Sequence, residues 1–337
     1  MNLRPLFLRG KPRLAWPLLV AANIIFPCGA EAELSGIYFS GFERSEGFDP
    51  LRTLVGQGGW TGTDVHGNGL LTNYFTSESP QPSFGQQQAF VGGYYYSYPL
   101  TNSDGTLNAW RPLNFDPLEA GLPIVTFSVT MAIYDSVTTT NRDCFRWSVY
   151  NMANGGQRLF TLDFDNLTTN INYKLDLDDD LFVPTGFLFE RNGEYDLVVT
   201  MNYADNLWSA VLNDFTIVDS QPMTTTNLAL NLGDIDAVWI NRQIGVYGDN
   251  FMVFDNYSVT AEPYPFWLDA VERLKNGAFL LRLSGETGRQ YAIDATTDFV
   301  DWFALKTNSA GRDGTFDFLD TTATNYTRSF YRARLVL

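Results

Sequence analysis

The chain has 337 residues, 45% of them apolar and 15% aromatic, with 38 acidic against 22 basic side chains and a net charge of −16. So negative a chain disfavours nucleic acid and anionic membranes as partners and leaves neutral ligands and cations. One histidine and two cysteines are too few for a cysteine–histidine zinc site, and a serine or cysteine triad would have to rest on His66 alone.

Residues 1–32 read as a secretory signal. Arg4, Arg9, Lys11 and Arg13 form a basic start, Leu14 to Phe26 an apolar core too short to span a membrane, and Ala30-Glu31-Ala32 a small-x-small cleavage site. Phe26-Pro27 before Cys28 replaces the small residues of a lipidation site, so soluble export is expected. No other run is apolar enough to insert in a membrane. Cleavage after Ala32 leaves 18 basic and 37 acidic residues, a net charge of −19. Cys144 is then the sole thiol and no intramolecular disulfide can form. Flanked by Asp143 and Phe145 on a strand, it is expected as a buried small side chain.

Next in the chain comes GFERSEGF, with Glu43 and Glu46. VGQGGWTG lacks the Gly-Lys-Ser/Thr ending of a phosphate loop and reads as a turn, and His66 falls in DVHGNG, a loop. Trp60, Tyr94, Tyr95, Tyr96, Tyr98 and Trp110 gather in sequence; exposed together they would make a stacking platform for sugar rings, and buried they would be ordinary strand aromatics. Strand-like runs follow at 88–91, 124–133, 145–150 and 158–164. Asp163-Phe164-Asp165 sets two carboxylates on one face but lacks the glutamates of a Glu-x-Asp-x-x-Glu strand, so no catalytic residue is assigned. LDLDDDLFVPTG, with Asp176, Asp178, Asp179 and Asp180, lacks the order of an EF-hand loop and reads as a solvated acidic turn. In the run 195–203, Tyr195, Leu197, Val199, Met201 and Tyr203 share a face; a turn at Ala204-Asp205-Asn206 leads to a return strand at 207–217. Strands at 237–241 and 251–260 complete the set. Helical spacing is nearly absent, so the fold class is all-β, a sandwich of two antiparallel sheets.

YDLVVTMNYADNLWSAVLNDFTI (from Tyr195) and GDNFMVFDNYSVT (from Gly248) resemble the concanavalin A-like, or laminin G-like, jelly-roll of secreted bacterial proteins. In many glycan-binding members of that fold the first and last strands run side by side and hold a structural calcium between an "FE" glutamate and an "FDN" aspartate. Glu43 and Asp255 match those places. By alternation Asp255 lies on the face of Phe251, Val253, Tyr257 and Val259, where a carboxylate needs a partner; hard oxygen ligands from two strands suit calcium, and backbone N–H donors are the other solution.

The prolines of Pro263-Tyr264-Pro265 break strand pairing, which divides the exported chain into a jelly-roll at 33–262 and a module of about five strands at 263–337. The latter resembles a small C-terminal β module of secreted bacterial proteins through Gly285, Gly288, Tyr291 and Ile293, then Asp298 and Trp302, then Phe330-Tyr331-Arg332-Ala333. The resemblances imply architecture, which hosts lectins, glycanases and structural domains alike; with the export signal and no assigned catalytic residue, the expectation is a secreted or cell-surface protein that binds an extracellular polymer, a glycan, without catalysis. A glycan-active hydrolase or lyase and a purely structural surface protein are the alternatives.

Overall fold

The computed structural model describes residues 35–72, 86–94, 105–176, 181–246 and 248–336. It divides into two compact units that meet in sequence between Pro265 and Phe266. The signal segment, Tyr95, Tyr96, Tyr98 and Asp178 to Asp180 lie outside the described residues.

The strands of the first unit, in chain order, are β1 (Ser35–Ser40), β2 (Thr61–Gly62), β3 (Asn68–Thr72), β4 (Gln87–Gly92), β5 (Thr106–Trp110), β6 (Ile124–Tyr134), β7 (Cys144–Tyr150) and β8 (Arg158–Asp165). They continue with β9 (Asn170–Leu175), β10 (Val183–Leu188), β11 (Glu194–Asn202), β12 (Leu207–Leu212), β13 (Phe215–Pro222), β14 (Asp234–Ile240) and β15 (Phe251–Glu262). One sheet has eight strands in the order β13-β12-β11-β6-β15-β4-β3, with β1 also on β15; the other has seven, β10-β9-β8-β7-β14-β5-β2. This is the concanavalin A-like jelly-roll sandwich, antiparallel in both sheets and with first and last strands paired.

Alternation builds the core. Phe127, Val129 and Met131 of β6, Phe145, Trp147 and Val149 of β7, and Leu197, Val199 and Met201 of β11 point between the sheets and are buried. Trp208 of β12 stacks on Phe160 of β8 with centroids 4.0 Å apart. Each such side chain contributes ~1.5–3 kcal/mol by leaving water. The face predicted for residues 195–203 is therefore the core face. The return run at 207–217 is two strands rather than one, because Asn213 and Asp214 both take positive φ (44° and 68°) and turn the chain into β13 as a primed hairpin does.

β15 is where alternation fails. Phe251 and Val253 join a separate apolar cluster with Phe90 on the outer side of the eight-stranded sheet, whereas Tyr257 and Val259 belong to the inner core. Between them the register against β6 slips at Asp255/Ser258 and Asn256 sits at φ 53°. The extra residue of this bulge switches faces, so Asp255 does not share a face with Tyr257 and Val259 as expected. The bulge also marks a change of partner: residues 251–254 pair with β4 and residues 257–261 with β1.

The second unit carries β16 (Trp267–Arg273), β17 (Phe279–Ser284), β18 (Gln290–Thr296), β19 (Phe303–Ser309), β20 (Thr315–Asp320) and β21 (Phe330–Leu335). These six strands, one more than expected, form two three-stranded sheets, β16-β17-β20 and β19-β18-β21, around a core of Leu281, Leu283, Tyr291, Ile293 and Tyr331. Gly285 is required: a Cβ there would fall 2.6 Å from Tyr291 Oη, which accepts the Glu286 N–H at 2.8 Å. Arg332 lies over the Trp302 ring at 4.2 Å, and Asp298 Oδ1 accepts the N–H groups of Val300 and Asp301. No helix among the described residues is long and apolar enough to cross a membrane.

Candidate functional site

The bulge places Asp255 beside the turn after β1, and the residues predicted for a cation meet there. Asp255 is 1% exposed; its Oδ1 accepts the Asn256 N–H at 2.7 Å, and its Oδ2 is buried without a hydrogen-bond partner. Glu43 and Glu46 are its charged neighbours. Burial first, then those two carboxylates, push the Asp255 acid up to about 8 against the single N–H it accepts. Gly41 lies against both carboxylates: a Cβ there would be 3.3 Å from Glu46 Oε1, a tight contact, and 3.7 Å from Asp255 Oδ1, an ordinary one. Glu46 accepts from Ser40 Oγ at 2.7 Å and Gly41 N at 2.9 Å, and Glu43 Oε1 accepts from Gln86 N at 2.7 Å and Gln87 N at 3.2 Å. An all-oxygen donor set and an orphaned buried oxygen fit a hard cation. As the side chains stand, no group of three ligating residues among those described is gathered close enough to hold a metal. Binding would need Glu43 and Glu46 to turn from the amides they hold.

Of the residues predicted for an aromatic platform, the described ones, Trp60, Tyr94 and Trp110, do not come together. Trp60 is a core residue, 2% exposed, packed at 5.6 Å on Phe42 and 5.3 Å on Tyr257, with Nε1 donating to Tyr38 Oη. It has no face to offer a ligand. Tyr94 packs on Phe251 and Phe90 against the eight-stranded sheet, while Trp110 ends β5 in the seven-stranded one.

What the fold does gather is a polar row across the outer face of the seven-stranded sheet. Asp236 pairs with Ser148, Ser148 with Thr161 and Thr161 with Lys174 in consecutive strands β14, β7, β8 and β9. Trp110 follows Ala109, which pairs with Ala237, and so extends this row at the β5 end. The next row holds Val238, Arg146, Asp163 and Asn172, with Asn108 opposite Val238. The side chains are bonded to one another: Asn108 Nδ2 donates to Asp236 Oδ2 at 2.8 Å, Ser148 and Thr161 hydroxyls meet at 2.7 Å, and Arg146 Nε donates to Asp163 Oδ1 at 2.7 Å. Phe182 lies beside the row, with the Arg146 guanidinium 4.7 Å from its ring centroid.

The electrostatics of this face are uneven. Asp163 has a guanidinium, yet burial holds its acid above the usual range. Asp236 has none: burial and then the Asp234 carboxylate push it well up, and Asp234, two residues away on the same face, rises with it. Two neighbouring carboxyls cannot both ionise cheaply, so both acids stand above the usual carboxylate range. Asp236 Oδ1 is buried without a partner. Asp163 and Trp110 apart, these residues were not singled out by sequence; the signal was there in CFRWSVY and in the first half of DIDAVWI, which alternate polar against apolar.

Other predicted residues fall into structural roles. Asp176 is buried rather than solvated: burial works to raise its acid, but donors from Thr225, Thr226 and Thr224 outweigh it and hold the carboxyl low. Cys144 is half-buried on the outer face, with Arg242 Nη2 at 3.2 Å from Sγ, and burial pushes its thiol up to about 12, an inert range.

Neither a protein-family model nor a curated protein sequence matches the chain. Among solved structures, a carbohydrate esterase of Shiga toxin-encoding bacteriophage phi24B is similar at 12% identity and a TM-score of 0.42, over 68% of this chain and 99% of that one. Basic winged bean lectin is similar at 9% identity and a TM-score of 0.41, over 63% of this chain and 95% of the lectin. A sialidase is similar at 8% identity and a TM-score of 0.40 over 60% of this chain, which spans 17% of the sialidase's length. At these levels the likeness carries no argument about the site.

Proposed function

We propose that the protein is an exported carbohydrate-binding protein without catalytic activity, whose ligand lies on the outer face of the seven-stranded sheet. The observation that supports this is the half-buried set Trp110, Asn108, Arg146 and Asn172, which the pairing of β5, β14, β7, β8 and β9 brings to one face, with the buried residues Asp236, Ser148, Thr161 and Lys174 in consecutive strands beside them. A saccharide needs an aromatic plane for its C–H face and closely spaced donors and acceptors for its hydroxyls, and the half-buried Trp110, Asn108, Arg146 and Asn172 supply both, whereas Asp236, Ser148, Thr161 and Lys174 are buried. The Asp234–Asp236 pair favours a second reading, a glycan-active enzyme, because paired carboxyls of raised acidity range are what acid–base cleavage uses. Asp236, at 4% exposed, lies too deep to reach a glycosidic oxygen, which weighs for binding.

A glycan array followed by assay of reducing-end release on every hit tests the choice. Trp110→Ala is expected to weaken binding by ~tenfold or more, the loss of about 1.4 kcal/mol of ring contact. Release of reducing ends would replace the binding reading with the enzymatic one. Export is tested by mass spectrometry of secreted material, which is expected to begin at Glu33.

The orphaned Asp255 Oδ2 supports a further element: Glu43 and Asp255, with Glu46 beside them, hold a structural calcium that pins β1 to β15. The cation would supply the positive charge that this group of three carboxylates lacks.

A further inference from the structure

A cavity of about 580 Å³ lies between the loop at 50–53 and strands β3 and β4, away from the sheet face just described. That is the size of a small-molecule site. Its lining departs from the rest of the molecule in charge. Acidic residues exceed basic ones by 16 in the chain, yet the described lining contains Arg52 and the only histidine, His66, and no aspartate or glutamate. Asp64 stands behind the histidine: at 3% exposed, it accepts the His66 backbone N–H through Oδ1 at 2.9 Å, and the same oxygen lies 3.3 Å from His66 Nδ1. Asp64 thus holds the His66 backbone and sets a carboxylate beside its imidazole.

Apolar groups complete the cavity. Phe90 is its buried floor, and Leu51 and Val65, 92% and 54% exposed, are its rim. Between floor and rim β3 passes at Gly69, where a Cβ would fall 2.7 Å from Phe90 Cε1; any other residue would have to displace that ring, so the strand stays bare. A bare backbone, a basic fork and an apolar rim form one concavity.

We propose that this cavity binds a small ring bearing a carboxylate, such as an acidic monosaccharide. The planar guanidinium of Arg52 takes the carboxylate through two parallel N–H bonds, a geometry that lysine or a hydroxyl cannot reproduce. His66 donates to the same group or to an adjacent hydroxyl, and Leu51 and Val65 cover the apolar side of the ring.

The single histidine provides the readout, because the imidazole Hε1 resonance of the full chain comes from His66 alone. Sodium glucuronate, sodium benzoate, glucose and sodium acetate are titrated separately while that signal is followed. Saturable shifts with glucuronate and none with glucose are expected; benzoate equal to or better than glucuronate would assign the site to aromatic acids, within the same carboxylate-ring chemistry. Arg52→Gln is expected to weaken glucuronate by ~tenfold or more, with Arg52→Lys between it and wild type. Both variants should melt with the wild type, since Arg52 is exposed. Equal response to glucose, equal response to acetate, an unaffected Arg52→Gln, or no saturable shift with either ring carboxylate would each overturn the proposal. Trp110→Ala separates the two sites: it is expected to leave the His66 titration unchanged, and its abolition of that titration would overturn the cavity and leave the sheet face standing.

Discussion

Asp294 in the second unit and Asp255 in the first are the same kind of residue solved in opposite ways. Both are strand carboxylates no more than 3% exposed, and each has one buried oxygen without a hydrogen-bond partner. Asp294 Oδ2 accepts from Arg332 Nε at 3.1 Å and Arg334 Nε at 3.0 Å. Asp255 has Glu43 and Glu46 instead. The sign of the neighbours, not the depth of burial, separates a finished structural ion pair from a place where charge is owed. The small unit closes its own account, whereas the jelly-roll must find either a proton or a cation from solution.

The largest expected effect tests that difference directly. In the native state the Asp255 acid holds its proton up to about 8, whereas in the unfolded chain it releases it near the usual ~4. The native state therefore binds more protons across that window, so the stability tied to this group is full at acid pH and is lost as pH rises through about 8. In EGTA, Asp255→Asn should remove that slope and be the more stable protein at pH 8, by up to on the order of 4 kcal/mol. Calcium at a hundredfold excess over Kd should stabilise the wild type by about 2.7 kcal/mol and leave Asp255→Asn unmoved. Melting curves at pH 5 and pH 8, each with calcium and with EGTA, check both statements. A wild type equally stable at both pH values in EGTA would break the comparison.

A smaller effect is expected when the solved case is unsolved. Changing Arg332 and Arg334 together to methionine leaves Asp294 buried among apolar groups. Stripping a fully buried carboxylate of its partner costs about 3–5 kcal/mol, but these guanidiniums are 34% and 49% exposed, so a loss of about 2 kcal/mol is expected. Adding Asp294→Asn should recover most of it, which a purely packing role for the arginines would not allow. Because the two units have separate cores, calorimetry should show the loss in a transition distinct from the calcium-sensitive one. One merged transition for all variants would argue that the units are a single cooperative body.

The sandwich was legible in the sequence because alternation is local: the outward and inward residues of β6, β7 and β11 can be read two positions at a time. Glu43 and Asp255 could be named from a resemblance, and the structure brings them together. Their surroundings could not, because a single bulge residue, Asn256, reverses the alternation on which the reading relied. Trp60 misled for a related reason, since composition shows that aromatics are abundant but not which layer each one enters. The polar row was hardest to see. Asn108 and Asp236, hydrogen-bonded at 2.8 Å, are 128 residues apart, and only the β5–β14 pairing makes them neighbours.

Asp236 offers the smallest and most discriminating test. Like Asp255 it is a buried carboxyl without a cation, but Asn108 donates to it and Asp234 shares its environment, so the deficit is spread over a pair. Burial and mutual repulsion raise both acids, so the native pair keeps protons that the unfolded chain gives up; its contribution is present at acid pH and fades as pH rises through the raised range. In Asp236→Asn the amide can still accept from Asn108 through its oxygen and can donate to Asp234 through its nitrogen, with one charge removed. The variant should match the wild type at pH 5 and exceed it by about 1 kcal/mol at pH 8, in EGTA, independently of calcium. Independence from calcium is what distinguishes it from Asp255→Asn. If Asp236→Asn instead loses stability at both pH values, the carboxylate is ionised and satisfied in place, and the first unit has one unsolved charge rather than two.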